Sequence, residues 1–439
     1  MPDMMLTPDF KNTPYWWEAA PRPDLGEKTL PKETDVAVVG SGFTGLSAAL
    51  TLARGGKDVT VFEAETPGYG ASTRNSGFVG CQLWSKLTPL VKKFGEERAS
   101  VLAREAMSAH DYVALLIERE QIACHFTYCG RLISAHSPTA YQTLERELAL
   151  MQRLFGFEGH MVPRDQQRTE IATDLYYGGM IVKKGGSLHP GLYHAGLLDR
   201  AMGAGAVVHG KTPVLSIERE GSGRFRVSTP RGVVSAGRVI LGTNGYTGKG
   251  LDWFRRRLIP VHAGVVVSEE IGAERVRSVL PTGRTMIDTR INPYSARPSP
   301  DGSRLQFASA RGLFVRDYPA KAMEMHRAMV ETFPTMRDVR IAYCWTGQMG
   351  FSFDKLPHVG ERDGVLYALG YCGTGIPMAT WLGHKLGQRV LGAPDSGSAL
   401  DGRDFPTRPL YTGNPWFLPL VIKWYAHKDK RGVPVRKTA

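Results

Sequence analysis

Six residues near the start of the chain have the spacing of a phosphate-binding turn, G-x-G-x-x-G, at Gly40-Ser41-Gly42-Phe43-Thr44-Gly45. In such a turn the first glycine permits the tight bend, the second lets the backbone approach a pyrophosphate, and the third lets helix and strand pack closely. Glu63 follows about 20 residues later, where a carboxylate can hydrogen-bond a ribose hydroxyl. Together with Ala64, these residues predict a dinucleotide site. The alternative is a glycine-rich turn without a ligand.

The flanking residues predict the elements that position this turn. Residues 35–39 are a short valine-rich run, which is typical of a buried parallel strand. Residues 44–54 favour a helix, and Gly55-Gly56 end it. Val59–Phe62 predicts a second buried strand. A helix that begins at the turn offers free N–H groups and a partial positive charge to a phosphate.

A second loop, rich in glycine and hydroxyl residues, follows at residues 68–77 with the sequence GYGASTRNSG. It resembles the G-x-G-A-S-x-R-N-x-G segment of FAD enzymes in the D-amino-acid oxidase superfamily. Within that group it is most similar to the γ-glutamylputrescine oxidoreductase branch, which is related to glycine and sarcosine oxidases. The resemblance implies that the loop runs beside the flavin and its diphosphate, through Gly70, Ala71, Ser72, Arg74, Asn75, Ser76 and Gly77. The alternative is an ordinary loop whose arginine forms a surface ion pair.

Two later segments carry the same resemblance. Residues 343–360, YCWTGQMGFSFDKLPHVG, match the family pattern W-x-G…T-x-D-x-x-P-x-x-G. Residues 370–376, GYCGTGI, stand between a predicted strand, Val365–Leu369, and a predicted helix over 377–390. The resemblance implies that N–H groups at the start of this helix face the pyrimidine edge of the flavin, where a positive dipole favours reduction. The further cofactor contacts that it implies are Val214, Thr243, Asn244, Gly245, Trp345, Gly347, Asp354, Gly370, Gly373, Thr374, Gly375 and Ile376.

The chain has 439 residues, 42% hydrophobic and 22% charged, which suits two or three globular domains with a large core. The resemblance implies an α/β fold, in which a Rossmann-like FAD-binding domain of the glutathione-reductase type is combined with an interleaved α+β substrate domain built on a mixed sheet. We assign residues 1–82, 175–250 and 340–439 to the FAD-binding domain. Residues 83–174 and 251–339 are assigned to the substrate domain.

Local patterns predict several further elements. Apolar residues at helical spacing predict a helix over residues 96–120, and Ser137 followed by Pro138 is typical of a helix start. We interpret His189 as another helix-start residue rather than a catalytic base. Residues 1–34 are rich in proline and predict an extended arm, whose three aromatic residues at positions 15–17 we expect to pack on the body of the protein.

The resemblance further implies oxidation of a carbon–nitrogen bond. A primary or secondary amine or an amino acid would lose hydride to flavin N5, and the imine would hydrolyse to an aldehyde or a keto acid. We place His262, Tyr294, Arg297, Trp345 and Tyr371 at the catalytic pocket, with packing or a turn contact as the alternative for the first three.

Two alignments bear on the cofactor and on the electron acceptor. We expect non-covalent FAD, because Tyr343 rather than Cys344 aligns with the flavin-linking cysteine of sarcosine oxidases. Gln306 aligns with the lysine that helps oxygen react in those enzymes. The acceptor, O2 or another compound, therefore stays open.

Other functions and partners stay open as well. A tRNA-modifying flavoprotein and a flavin-holding subunit of a heteromeric dehydrogenase are the alternatives. The net charge of +13 would suit an acidic substrate or partner, nucleic acid or an anionic membrane surface, or it reflects the general character of the source proteome. We do not expect nucleic acid, because no basic run longer than Arg255-Arg256-Arg257 occurs before the tail. The oligomeric state is not predicted.

The cysteines and the termini predict the cellular setting. The five cysteines are scattered and odd in number, which indicates free thiols in a reducing cytoplasm and no metal site. We expect neither a Sec-type signal peptide nor a membrane span. The tail after residue 405 is apolar and then strongly basic. We expect it to dock on the body, with peripheral attachment to a membrane surface as the alternative.

Overall fold

The structure, a computed structural model, describes residues 5–221, 223–309 and 315–430. In chain order its strands are β1 (Leu6–Lys11), β2 (Glu33–Val39), β3 (Val59–Phe62), β4 (Phe78–Val79), β5 (Arg131–Ser134), β6 (Gly159–Val162), β7 (Gly179–Val182), β8 (Gly186–Ser187), β9 (Val207–His209), β10 (Ser216–Arg219), β11 (Phe225–Thr229), β12 (Gly232–Leu241), β13 (Ile259–Ser268), β14 (Thr285–Asp288), β15 (Tyr294–Pro298), β16 (Leu305–Ser309), β17 (Ile341–Phe351), β18 (His358–Arg362) and β19 (Val365–Leu369). Its helices are α1 (Trp16–Ala19), α2 (Phe43–Arg54), α3 (Ala71–Arg74), α4 (Leu87–Phe94), α5 (Glu96–Arg119), α6 (Pro138–Phe155), α7 (Pro190–Gly203), α8 (Asp252–Arg255), α9 (Ala273–Arg277), α10 (Tyr318–Thr332), α11 (Gly375–Val390) and α12 (Leu418–Lys430).

One sheet carries the predicted nucleotide-binding turn. Among the described residues it has eight strands in the order β10-β11-β12-β2-β3-β9, and β19 and β18 extend it from β12. Strands β2, β3, β9, β12 and β19 run parallel to one another, whereas β10, β11 and β18 join the sheet through antiparallel pairs. All four residues of β3 are buried, as expected for a parallel strand covered on both faces. The predicted succession of strand, glycine turn, helix and strand is confirmed as β2, α2 and β3.

The second large sheet is mixed, as expected. Within the described ranges it has nine strands in the order β1-β17-β13-β16-β15-β14-β5-β7-β6, with parallel pairs at β1–β17 and β14–β5. The fold is therefore a Rossmann-like sheet domain joined to a mixed-sheet domain. The domain boundaries stay a prediction. Strands β1, β7 and β17 fall inside segments that we assigned to the FAD-binding domain, yet they pair in this sheet.

The amino-terminal segment differs from the predicted extended arm. That prediction is wrong for residues 16–19, which form α1, whereas residues 6–11 are extended as predicted but pair in a sheet as β1. Strand β1 lies at the edge of the nine-stranded sheet, where a proline is tolerated. Its sequence, LTPDFK, contains two residue types that are depleted in strands, which explains why the pattern was missed. The expected packing of the aromatic residues is confirmed, since Trp16 is fully buried.

Two predicted helix starts are confirmed by their caps. The Ser137 hydroxyl accepts a hydrogen bond from the Ala140 N–H at the start of α6 (3.2 Å). His189 Nδ1 accepts one from the Leu192 N–H at the start of α7 (3.1 Å). Burial, together with nearby His125, lowers the pKa of His189 to about 4, which keeps the imidazole neutral and able to accept this bond.

Helices α2 and α11 cross at very short range. A Cβ on Gly383 would overlap the carbonyl oxygen of Thr44, and a Cβ on Gly387 would lie 2.8 Å from the Thr51 Cβ. Three residues of α2 with side-chain hydroxyls form hydrogen bonds along this contact. The Thr44 hydroxyl pairs with the Tyr371 hydroxyl (2.6 Å), the Ser47 hydroxyl donates to the Thr380 carbonyl (2.7 Å), and the Thr51 hydroxyl lies 2.9 Å from His384 Nδ1. Because the two glycines allow this approach, the start of α2 packs against the middle of α11, and Tyr371, just before α11, reaches the start of α2.

The close crossing yields a prediction about stability. We expect Gly383→Ala to lower the free energy of unfolding by about 1–3 kcal/mol, because the added methyl must displace backbone rather than a mobile side chain. Thermal unfolding measures the change. Gly203→Ala, at the end of α7 with no atom within 4 Å of its Cβ position, is the matched control and should be neutral or slightly stabilising. Equal effects of the two substitutions would contradict the tight crossing.

The His189 cap yields a prediction about pH. The folded-state pKa of about 4 lies below the ordinary value of 6.5, so the unfolded chain binds a proton first as the pH falls. This contribution to stability is complete above pH 6.5 and is lost between about pH 6.5 and pH 4. In His189→Asn the side-chain oxygen can still cap the helix. Denaturant unfolding should show that this variant loses about 1–3 kcal/mol less than the wild type over that interval. Identical pH profiles would contradict the assignment.

Candidate functional site

The G-x-G-x-x-G turn is built so that side chains beyond glycine do not fit at two of its positions. A Cβ on Gly45 would overlap the Gly40 carbonyl oxygen, and a Cβ on Gly42 would lie 2.9 Å from the Ser72 hydroxyl. That hydroxyl accepts a hydrogen bond from the Phe43 N–H (3.0 Å). The second loop therefore lies directly against the start of α2.

Glu63 stands at the end of β3, next to the turn. One carboxylate oxygen accepts hydrogen bonds from the Ser41 N–H (2.9 Å) and from the Ser41 hydroxyl (2.6 Å). The other accepts one from the Glu65 N–H (3.1 Å). The carboxylate is thus held at the mouth of the turn, where the sequence predicts a ribose contact.

The late motif brings a second helix start to the same place. The chain bends sharply before α11, where Gly370 and Gly373 have φ of +75° and +90° and Cys372 has φ of +52°. The Asn244 side-chain oxygen accepts a hydrogen bond from the Gly370 N–H (2.8 Å), which fixes the bend to the predicted Thr243-Asn244-Gly245 segment. The residue before α2 and the residue before α11 do not cap their helices with their own side chains, and at α2 only the Phe43 N–H is taken, by Ser72, so other first-turn N–H groups can bind an anion.

The backbone carbonyls of the 70–77 loop accept hydrogen bonds from side chains on several sides. The Trp16 indole N–H donates to the Asn75 carbonyl (2.8 Å), and the Trp345 indole N–H donates to the Arg74 carbonyl (3.0 Å). Two residues of the mixed sheet, Arg297 and Gln306, donate to the Ser76 carbonyl (3.3 and 3.2 Å). The loop position is therefore set by the mixed sheet and by the amino-terminal segment.

Arg74 does not form the surface ion pair that is the alternative to a site residue. Its Nε donates to the Tyr69 carbonyl (2.7 Å) and an Nη donates to the Thr346 carbonyl (3.2 Å). Its guanidinium lies 4.8 Å from the ring centres of both Trp17 and Tyr69. This arrangement holds the arginine between two aromatic rings at the edge of the loop.

A cavity of about 680 Å³ adjoins these motifs. Phe78 and Gly80 line it just after the 70–77 loop, and Gly373 and Thr374 line it at the start of α11. Its walls are mostly apolar, and they are contributed by strands of the mixed sheet, by α4 to α6, and by the inner face of α12. The cavity thus lies beside the edge where the sequence predicts the flavin ring.

A second cavity of about 630 Å³ lies near the Asn244 segment. His262, Gln348 and the chain at 413–419 line it, and Leu418 is shared with the larger cavity. The burial of His262 lowers its pKa. The carboxy-terminal segment therefore contributes to both cavities.

Comparison with known proteins identifies the family. The pattern of the DAO family, described as FAD dependent oxidoreductase, matches residues 35–389. The chain belongs to the DAO family of FAD-dependent oxidoreductases. It is 31% identical over 430 residues to a probable oxidoreductase, OrdL, of Rhizobium meliloti, covering 94% of this chain and 97% of that protein. It is 28% identical over 404 residues to the gamma-glutamylputrescine oxidoreductase of Escherichia coli, covering 91% and 93%.

Solved structures agree on the fold. The glycine oxidase of Geobacillus kaustophilus superposes with a TM-score of 0.69 at 22% identity, covering 86% of this chain and 99% of that chain. The L-proline dehydrogenase of P. horikoshii superposes with a TM-score of 0.66 at 16% identity, covering 89% and 99%. The predicted family, fold class and FAD cofactor are therefore confirmed.

The described residues fit FAD. The turn between β2 and α2 has no room for side chains at Gly42 and Gly45, which lets a diphosphate approach the backbone at the positive start of α2. The start of α11 offers a second positive helix end, which the resemblance assigns to the pyrimidine edge of the flavin. The residues that would hold the cofactor are those of the turn, Glu63, the 70–77 loop and the start of α11. Their individual contacts with FAD stay predictions.

The residues that we placed at the catalytic pocket are not brought together in the larger cavity. Of the five, only His262 lines a described cavity, and that is the second one. Arg297 is buried, donates to the carbonyls of Leu188 (2.8 Å) and Gly77 (3.2 Å), and has its pKa lowered to about 10 by burial. Tyr294 is buried against Phe307.

Three further predicted site residues are also engaged with the protein itself. The Tyr371 hydroxyl donates to the Ala368 carbonyl (2.6 Å), and the Trp345 indole is fully buried. The Asp354 carboxylate binds His358 Nε2 (2.9 Å) and the Arg403 guanidinium. Burial opposes this pairing, but the His358 and Arg403 contacts prevail and lower the pKa of Asp354 to about 2. These groups position the backbone around the site, and the catalytic or cofactor roles that we predicted for them stay predictions without support from a cavity.

Sequence reasoning missed two kinds of residue. Trp16 lies far from the loop in the chain, and only a fold in which β1 joins β17 brings it to the Asn75 carbonyl. Arg131 lies in β5 and faces the larger cavity, where its guanidinium is 5.5 Å from the Phe78 ring centre. A lone arginine in the 83–174 segment assigned to the substrate domain was the available signal for this second residue.

The Trp16 hydrogen bond yields a prediction about cofactor binding. We expect Trp16→Phe to weaken FAD binding by about three- to tenfold, because it removes one buried donor to the 70–77 loop while keeping an aromatic ring. Flavin fluorescence titration of the apoprotein measures the dissociation constant. Trp424→Phe, at an exposed tryptophan of α12, is the matched control and should bind FAD as the wild type does. An unchanged affinity in Trp16→Phe would contradict a supporting role for this contact.

Proposed function

We propose that the protein oxidises a primary or secondary amine, or an amino acid, with FAD as its cofactor. The larger cavity is the observation that carries this proposal, because it lies between the residues that follow the 70–77 loop and the start of α11 and is large enough for a small amine. The two curated relatives called glycine oxidase and gamma-glutamylputrescine oxidoreductase support the same class of substrate.

The protein's own contribution is to hold the substrate and exclude water. When bound, FAD supplies the redox chemistry by accepting hydride from the carbon beside the nitrogen. Trp84 and Phe351 meet edge to face (5.5 Å between ring centres) at the cavity wall, and Trp84 also packs against Gly373. Apolar walls of this kind favour the neutral amine, which is the form that can be oxidised. The oxidised substrate, an imine, then hydrolyses to an aldehyde or a keto acid.

The charges around the cavity favour a substrate that also carries an anionic group. The Glu147 carboxylate accepts hydrogen bonds from the N–H groups of Leu87 (2.8 Å) and Thr88 (3.1 Å), and Asp288 is paired with Arg290. Arg131 is different, because its Nε is buried without a hydrogen-bond partner among the described residues, and no acidic side chain there forms an ion pair with it. Burial lowers its pKa. A carboxylate of the substrate would satisfy this guanidinium.

The mode of cofactor attachment and the electron acceptor are part of the proposal. We expect non-covalent FAD, because burial holds the pKa of the Cys344 thiol near 12 and the side chain is fully enclosed. Gln306 is uncharged and buried. Its side-chain nitrogen donates to the Ser76 carbonyl, and its Oε1 lacks a hydrogen-bond partner among the described residues. By resemblance this position carries lysine in sarcosine-type oxidases, so we favour an acceptor other than O2. We also keep the cytoplasmic location as a prediction.

Two alternative functions can be separated from this one by direct assays. A tRNA-modifying flavoprotein would bind tRNA tightly and in a salt-sensitive way in a filter-binding assay. A flavin-holding subunit of a larger dehydrogenase would show no turnover when expressed alone. Turnover of an amine by the isolated protein, without tRNA binding, would exclude both.

The deciding experiment uses the purified holoprotein without oxygen. A panel of amino acids and amines, including glycine and γ-glutamylputrescine, is tested one compound at a time. The flavin absorbance at about 450 nm is followed after each addition. We expect at least one amine to bleach this absorbance and acid precipitation to release the flavin into solution. Re-oxidation rates with O2 and with a quinone or dye then compare the acceptors. Protein that is colourless and does not take up FAD would overturn the proposal.

The unpaired Arg131 yields a prediction about specificity. We expect Arg131→Met to raise KM for carboxylate-bearing amines about tenfold to a hundredfold with a small change in kcat, because a buried charged hydrogen bond is lost. Amines without an anionic group should react as with the wild type. Arg131→Lys, which keeps the charge without the forked donor geometry, should fall between the two. Equal losses for charged and uncharged amines would contradict a role in binding an anion.

A further inference from the structure

The carboxy-terminal helix α12 has one face turned into the protein. Val421, Ile422 and Tyr425 line the larger cavity together with Leu418. The Asp429 carboxylate is buried and accepts hydrogen bonds from the N–H groups of Ile291 (2.8 Å) and Asn292 (3.2 Å). These contacts fix which side of the helix faces outward.

The outward side carries an unusual concentration of large apolar residues. Leu420 and Trp424 lie four residues apart on α12 with exposed fractions of 68% and 52%, and Trp416, with an exposed fraction of 66%, lies two residues before the helix at the rim of the second cavity. Of the eleven large hydrophobic side chains that are exposed among the described residues, four lie between positions 410 and 424, including both tryptophans. Single exposed apolar residues are ordinary, but a stripe of this kind marks a binding surface.

The charges around the stripe have one sign. Lys423 and Lys428 lie exposed beside it, and the Lys428 ammonium is 3.7 Å from the Trp424 ring centre. The sequence from residue 405 to residue 439 has seven lysines and arginines against one acid, Asp429, which is the buried one. Six of the thirteen net positive charges of the chain therefore lie in its last 35 residues, so this segment is much more basic than the rest of the chain.

We propose that α12 docks the protein on an anionic lipid surface, lying parallel to that surface with Leu420 and Trp424 in the headgroup region. Tryptophan is favoured at this depth, and lysines beside it attract anionic lipids. A second copy of the chain fits less well, because two such basic faces would repel each other. Across the described ranges, no helix combines the length and hydropathy that crossing a bilayer requires, so the contact is with the surface.

Flotation of the full-length holoenzyme with lipid vesicles tests the proposal. We expect the wild type to float with vesicles made of equal parts of phosphatidylcholine and phosphatidylglycerol, and to remain behind with phosphatidylcholine alone or in high salt. The double variant Leu420→Ser/Trp424→Ser and the double variant Lys423→Glu/Lys428→Glu should each bind at least about tenfold more weakly. The matched control, Val101→Ser/Leu115→Ser, replaces two exposed apolar residues of α5 and should float as the wild type does.

Three measurements keep the outcome clear. Flavin content, thermal unfolding and amine oxidation without vesicles show whether each variant is folded, since neither double substitution alters a residue that lines a cavity. Failure of the wild type to bind anionic vesicles overturns the proposal, as does equal binding by the α12 variants. A wild-type dimer in gel filtration that Leu420→Ser/Trp424→Ser dissociates, without vesicle binding, would show instead that a second copy covers the stripe.

Discussion

The close crossing of α2 and α11 is the contact on which the rest of the site depends. The two helices are separated by more than 300 residues of chain, and each would offer only a weak anion site alone. Gly383 and Gly387 remove the side chains that would hold them apart, and the hydroxyls of Thr44 and Ser47 bind across the gap. The start of α2 and the bend before α11 are thereby held in a fixed relation before any ligand arrives, and such preorganisation suits a cofactor that reaches both.

The 70–77 loop connects this helix pair to the mixed sheet. Ser72 reaches the start of α2, whereas the carbonyls at 74–76 accept hydrogen bonds from β15, β16 and β17 and from Trp16. Movement of the mixed sheet would therefore move the loop against the glycine turn. Arg297 and Trp345 act here through the backbone that they hold. Both side chains are buried and line none of the described cavities. Residue type alone is therefore a poor guide to which groups touch substrate.

The parts of the fold that sequence could predict are those encoded locally. The turn at 40–45, the buried strand at 59–62 and the capped starts of α6 and α7 each combine a residue type with a spacing that one backbone geometry requires. Strand β1 was missed because its pairing with β17 depends on partners elsewhere in the chain and its own sequence opposes a strand. Arg131 was missed for a related reason. An arginine indicates a binding site only when no carboxylate of the protein pairs with it. That can be judged only once the structure shows that Glu147 and Asp288, which line the same cavity, are bound to other groups.

The two faces of α12 link cavity and surface within a single helix. Val421 and Ile422 on one side close the space beside the predicted flavin edge, and Leu420 and Trp424 on the other side meet solvent. The buried Asp429 carboxylate fixes the far end of the helix to the N–H groups of Ile291 and Asn292. The helix has few other polar contacts with the body in the described residues, so its position is held mainly by the apolar side chains at the cavity wall. The inner apolar face is therefore needed to close the cavity, and this leaves the outer apolar residues for a contact outside the protein.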